Sequence, residues 1–130
     1  MIDTVVVATD GSESVRRCVD MSLDLADRFD ADLHAVYVTG DESEDTDTVF
    51  SEVYDQSQQS IETEIRYGEP ADEITTFATE IDADIVAMGT RGRHGEHRFL
   101  LGSVAEQVVR TCPVPVLTVR QLRSYVEDEG

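Results

Sequence analysis

Residues 4–12 read Thr-Val-Val-Val-Ala-Thr-Asp-Gly-Ser. Thr4–Thr9 is a continuous apolar, β-branched run, the pattern of a strand covered on both faces, as in parallel sheets. Gly11-Ser12 interrupts the run, and serine is a residue type that caps helices. Beyond it, Val15, Cys18, Val19, Leu25, Ala26 and Phe29 form one stripe at helical spacing. A buried strand, a tight turn and an amphipathic helix make the opening of a βα unit.

The same alternation continues downstream. Leu33–Val38 is a second short apolar run, followed by five acids between Gly40 and Thr48 that read as a solvated loop. Val49, Val53 and Gln56 suggest a modest helix. Ile61–Tyr67 alternates, with Ile61, Ile65 and Tyr67 on one face, as in a half-exposed or edge strand. Pro70 suits the start of a helix carrying Ile74, Phe77, Ala78 and Ile81. Asp84–Met88 reads as a fourth strand. Ser103 is placed to cap a helix presenting Val104, Ala105, Val108 and Val109, and Val114–Val119 closes the series. Pro115 cannot donate to a ladder, so the last strand lies at an edge or begins at the proline. The order predicts one α/β domain over residues 1–120, a five-stranded parallel sheet with helices on both faces. An acidic tail is expected over 121–130.

The chain has 130 residues, enough for one core. Asp and Glu number 28 against 10 Arg, with no lysine, for a formal net charge of −18. A field of that sign repels nucleic acid and anionic lipid, which removes both as expected partners. Acid excess with absent lysine resembles the proteins of salt-accumulating halophiles, in which molar salt screens the self-repulsion. No run of about 18 apolar residues is present, so no membrane span is expected. The N-terminus does not read as a signal peptide. Cys18 and Cys112 fit no metal or disulfide-framework spacing. These features predict a cytoplasmic protein.

In open parallel sheets ligands bind beyond the carboxyl ends of the strands. Two strand ends stand out. The first runs into Asp10-Gly11-Ser12, and the fourth into Gly89, Gly92 and, nine residues further, Gly102-Ser103. Glycines so spaced let backbone amides approach a phosphate, and the start of the following helix adds unpaired donors. Arg91, Arg93 and Arg98 crowd into the same loop, which suits an anion site or, equally, solvent-exposed ion pairing. Asp10 by its chemistry alone could simply shape a turn. His94, Glu96 and His97 read as solvated side chains rather than metal ligands. His34 reads as a partly buried, satisfied group and Cys18 as core.

The segments Val7–Ser12, Leu33–Val38, Gly68–Ile74 and Met88–Gly95, with LLGSVAEQVVR and PVPVLTVR, resemble the universal stress protein family over nearly the whole chain. The Gly89/Gly92/Gly102-Ser103 pattern is similar to that of the family's ATP-binding branch. The resemblance implies a Rossmann-like sheet of order 3-2-1-4-5, with the ends of strands one and four side by side. It implies that Ala8 and Asp10 line a nucleoside pocket, Asp10 facing the ribose, that Val38 meets adenine through its backbone, and that Met88 lies at the mouth of strand four. Gly89, Gly92, Gly102, Ser103 and Val104 would cradle the phosphates, and Arg91 joins them as a candidate from the arginine cluster alone. Ala8 departs from the proline of some ATP-binding members. ATP with Mg²⁺ or Mn²⁺ is the implied ligand, and a homodimer through the last strand (Val114, Val116, Leu117, Val119) the implied assembly. The expected function is a nucleotide-dependent stress-response module. A slow ATPase or nucleotidyl-transfer enzyme on the same pocket, and a nucleotide-free dimeric adaptor, are the alternatives. The absent lysine and the lack of an evident general base weigh against catalysis.

Overall fold

A computed structural model describes residues 2–56, 61–90 and 102–121. β1 (Thr4–Ala8) leads through a one-turn 3-10 helix (Glu13–Val15) into α1 (Arg16–Phe29). There follow β2 (Asp32–Thr39), α2 (Ser51–Gln56), β3 (Ile61–Tyr67), α3 (Pro70–Glu80), β4 (Ile85–Gly89), α4 (Ser103–Thr111) and β5 (Val116–Val119). The five strands form one sheet in the order β3-β2-β1-β4-β5, every neighbouring pair parallel. That is the expected order, with β3 and β5 at the edges. β5 also begins immediately after Pro115, so both readings of that proline hold. Pro115 still serves the sheet through its carbonyl, which accepts from Val86 N–H at 2.9 Å.

The uniform apolar character of β1 follows from its central position. Val5, Val6 and Val7 have no exposed surface. Val5 and Val7 pack with Cys18, Val19, Leu33, Tyr37 and Val53 on the α1/α2 face. Val6 packs with Val36, Ile74, Phe77, Val86 and Val108 on the α3/α4 face. Alternation along one strand thus feeds two cores. α1 ends at Asp30 in the left-handed conformation, φ 54°, which a short polar side chain tolerates.

Several side chains depart from the expected stripes. Phe29 is 41% exposed, Val109 47% and Tyr67 46%. Phe29 and Tyr67 are the last residues of their elements, and periodicity cannot say where the opposing layer stops. Val109 follows the buried Val108 and falls outside the strip of α4 that the core covers. Val114 lies before β5. Gln121 is the last described residue; the rest of the expected acidic tail lies outside the described residues, as do His94, Glu96 and His97.

A staple not visible in the sequence ties the residues just after β5 to the start of α1. Gln121 Oε1 accepts from Arg17 N–H at 3.0 Å, and Arg17 Nη1 donates to the Arg120 carbonyl at 2.9 Å. α1 has no side-chain cap at its N-cap residue, Val15, so a residue 104 positions away satisfies one of its first amides.

Candidate functional site

The register sets the site. Ala8 lies opposite Val36 on one side and Met88 on the other, so β1 and β4 end within one residue of each other while β2 runs on to Thr39. Thr9 N–H donates to the Val36 carbonyl at 3.0 Å and carries the pairing one residue further. Thr90 N–H reaches the Val119 carbonyl at 3.2 Å, and the Thr90 carbonyl accepts from Gly102 N–H. This last bond pins the start of α4 to the end of β4. Gly89 and Gly102, far apart in sequence, meet through it.

Above these ends opens a cleft of about 270 Å³. Ala8, Asp10, Val38, Met88, Gly89, Gly102, Ser103 and Val104 all line it. These are eight of the ten expected site residues; Arg91 and Gly92, with Arg93 and Arg98, lie outside the described residues. Sequence reasoning missed Val15, Val36, Tyr37, Pro70, Ile74 and Thr90, which also line it. In sequence Pro70 and Ile74 read only as helix start and helix stripe. Their place on the wall follows from α3 packing over β2, a contact that local pattern does not encode.

The cleft wall is largely apolar with a few polar groups set into it. Met88, 5% exposed, belongs to the α3/α4-side core, as do Ile74 and Val36. One polar contribution is the N-terminus of α4. Its N-cap is Gly102, φ −67° and ψ 160°, with no side-chain cap bond. Glycine has no side chain to offer, so the amides of Ser103, Val104 and Ala105 have no partner within the helix and carry its positive end. Ser103 is therefore the first helical residue and not the cap.

Asp10 lines the same cleft. Its Oδ1 accepts from Ser12 N–H at 2.9 Å and from Ser12 Oγ–H at 2.6 Å. The turn-shaping role and a place in the cleft thus coexist in one residue. Ser12 precedes the 3-10 helix at its N-cap position yet makes no cap bond, contrary to the expected helix cap, because its hydroxyl turns back to Asp10. Among the described residues lining the cleft, Asp10 is the only carboxylate.

Other reactive groups lie elsewhere. Burial pushes the Cys18 thiol up to about 12, only partly offset by its hydrogen bond with Ser22, so it is an inert core residue. His34 meets Phe77 edge-on, ring centroids 6.1 Å apart. No group of three His, Cys, Asp or Glu among the described residues is placed to hold a metal ion.

A model of the universal stress protein family matches residues 1–120. The chain belongs to that family. A universal stress protein of Methanocaldococcus jannaschii is 34% identical over 138 aligned positions, 90% of this chain and 81% of that one. A universal stress protein crystallised with cAMP superposes with a TM-score of 0.79 at 30% identity, covering 93% of this chain and 98% of the other. A universal stress protein from Archaeoglobus fulgidus, in complex with dAMP, has a TM-score of 0.67 at 24% identity, over 92% and 100% of the two chains. At that identity the likeness carries the fold alone. Both of these structural neighbours bind adenine nucleotides.

Proposed function

We propose that this universal stress protein binds an adenine nucleotide, ATP carrying Mg²⁺ or Mn²⁺ on its phosphates, and acts as a nucleotide-dependent module of the stress response. The observation that carries the reading is the polarity of the cleft. One largely apolar cleft holds both an uncapped helix N-terminus and a fixed carboxylate. A ligand suited to it has an anionic end, a flat apolar body and hydroxyl or amino donors between or beyond them. An adenine nucleotide has all three. The cAMP complex of a protein 30% identical to this one points to the same ligand class.

In this reading the α4 amides, with Gly89, Gly102, Ser103 and Val104, hold the phosphates, and Arg91 and Gly92 of the joining loop complete the anion site. Ala8, Val38 and Met88 surround the base and sugar, and Asp10 accepts from the sugar. A metal ion on the phosphates would neutralise charge beyond what Arg91 and the α4 amides balance, since the chain has no lysine. Asp10 is the only carboxylate among the described residues lining the cleft, and this reading uses it at the sugar, so binding and release are the function and turnover at most a slow side reaction. A second copy joined through β5 is part of the proposal, as is a cytoplasmic site of action. Among the described residues no helix is long and apolar enough to cross a membrane.

The test is calorimetric titration of Mg·ATP into the protein and its Gly102→Val variant in molar KCl, followed by assay for ADP. The backbone angles of Gly102 suit any residue, so the helix still forms, at a cost of about 1 kcal/mol for the poorer cap. The variant's Cβ branch fills the phosphate space, and binding should vanish while the circular dichroism is retained. Undiminished affinity in the folded variant would sink the phosphate assignment.

A further inference from the structure

Ser12 departs from the use its sequence position suggests. It stands where a helix-capping hydroxyl is expected, in extended backbone at φ −91° and ψ 166°, yet caps nothing. Its amide and its hydroxyl both converge on one oxygen, Asp10 Oδ1, at 2.9 and 2.6 Å. A carboxylate oxygen only accepts, so the single hydroxyl proton of Ser12 is committed to Asp10. The 2.8 Å contact between Ser12 Oγ and Ser14 Oγ must therefore run the other way, with Ser14 donating. The result is a directed chain, Ser14 to Ser12 to Asp10, with its terminus in the cleft wall.

The backbone is arranged to permit this. Gly11 sits at φ +78°, which folds Ser12 back over Asp10, and its N–H is held by Thr9 Oγ1 at 3.1 Å. A carboxylate so restrained, in the same cleft as the positive end of α4, repels phosphate and attracts hydroxyl donors. On a nucleotide, the vicinal ribose hydroxyls are the donors that a single carboxylate matches. A carboxylate free to rotate would accept them less well, because aiming it would then cost side-chain entropy.

We propose that Ser12, backed by Ser14, is a positioning residue that sets the specificity of this site. It holds Asp10 as an acceptor for free ribose hydroxyls, so that the cleft selects nucleotides that keep them. The inference rests on the nucleotide reading above and adds to it a residue and a selectivity.

Calorimetric titration of Mg·ATP and of Mg·2′,3′-dideoxy-ATP, which lacks both hydroxyls, tests it in wild type, Ser12→Ala, Ser12→Cys and Ser12→Thr. Wild type should favour ATP roughly tenfold or more, the scale of a hydrogen bond to a charged acceptor. Ser12→Ala keeps the Ser12 N–H bond to Asp10 and loses the hydroxyl, so it should lower the ratio severalfold by weakening ATP, with dideoxy-ATP left within about twofold. Ser12→Thr, which keeps the hydroxyl, should restore the preference. Ser12→Cys keeps the shape with a weak donor and decides the matter if the alanine variant does not fold. A folded Ser12→Ala or Ser12→Cys protein that retains the full ratio overturns the inference, since Ser12 would then only shape a turn. Equal wild-type affinities overturn it as well. Failure of wild type to bind either nucleotide is a different result, and removes the nucleotide reading itself.

Discussion

At Gly11 the chain has neither the backbone angle nor the space for a side chain. Its φ is +78°, and a Cβ built there would lie 3.0 Å from the Val49 carbonyl oxygen and 3.1 Å from a Val49 methyl group. Left-handed backbone alone costs a non-glycine residue roughly 1–2 kcal/mol, and Val49 is part of the core and has little freedom to retreat. Gly11→Ala should therefore lower unfolding stability by at least about that amount, read as a smaller urea midpoint at unchanged slope. A midpoint equal to wild type would mean that the 40–50 segment moves away without cost. The sequence marked Gly11 as a break in β1 and Asp10 as a candidate for both turn and ligand. It could not show where the Ser12 hydroxyl goes, because cap and Asx turn draw on the same residue type at the same position. Nor could it show that Val49 closes on Gly11, since that contact joins two loops that become neighbours only in the folded sheet.

Between elements, a few polar side chains do what backbone pattern leaves undone. Asp84, just ahead of β4, accepts through Oδ2 from Asp3 N–H at 2.7 Å and Thr4 N–H at 3.0 Å. It thereby ties the starts of the two central strands. The bonds from Asp3 and Thr4 hold its carboxyl below the usual carboxylate range. A group with a lowered folded value contributes in full above its unfolded value, near 3.9, and loses that contribution as pH falls through the folded one. Wild type should thus exceed Asp84→Asn in urea midpoint at about pH 6, and the gap should narrow progressively as pH falls below the unfolded value near 3.9. A gap independent of pH would show that geometry, not charge, matters there. Arg66 plays a comparable part between β3 and α3. Its guanidinium reaches Glu73 at 2.9 Å, Glu80 at 3.1 Å and Glu64 at 3.3 Å, and lies 5.5 Å from the centre of the Phe77 ring. Strands and helices were legible because burial imposes periods of two and about three and a half on the chain. These ties were not, since Arg66 and Glu80, or Asp84 and Asp3, carry no sign in sequence of their later contact. The two edge strands were legible for opposite reasons, β3 from its alternation and β5 from its proline.

Over the whole molecule the dominant quantity is charge. With 28 acids against 10 arginines, the folded state carries repulsion that the expanded chain relieves. Salt near 1 M shortens the screening length to about 3 Å and removes most of it. The melting temperature should accordingly be higher in molar KCl than in dilute buffer; a temperature independent of salt would count against the halophilic reading. The same charge is distributed unequally between the two ends of the sheet. β3, an edge strand, carries Glu62, Glu64 and Arg66 on one face, whereas β5 at the other edge is four uncharged residues, Val116–Val119. Leu117 and Val119 pack into the α1-side core, Val119 being 3% exposed, so what β5 offers a partner is its backbone more than these side chains. Docking another strand against β3 would strip water from carboxylates, a penalty that salt does not screen away. If two copies join through β5, the merged sheet ends in β3 on both sides. Assembly would then be self-terminating, with a count of two written into the margins of the sheet, even in brine that drives other surfaces together.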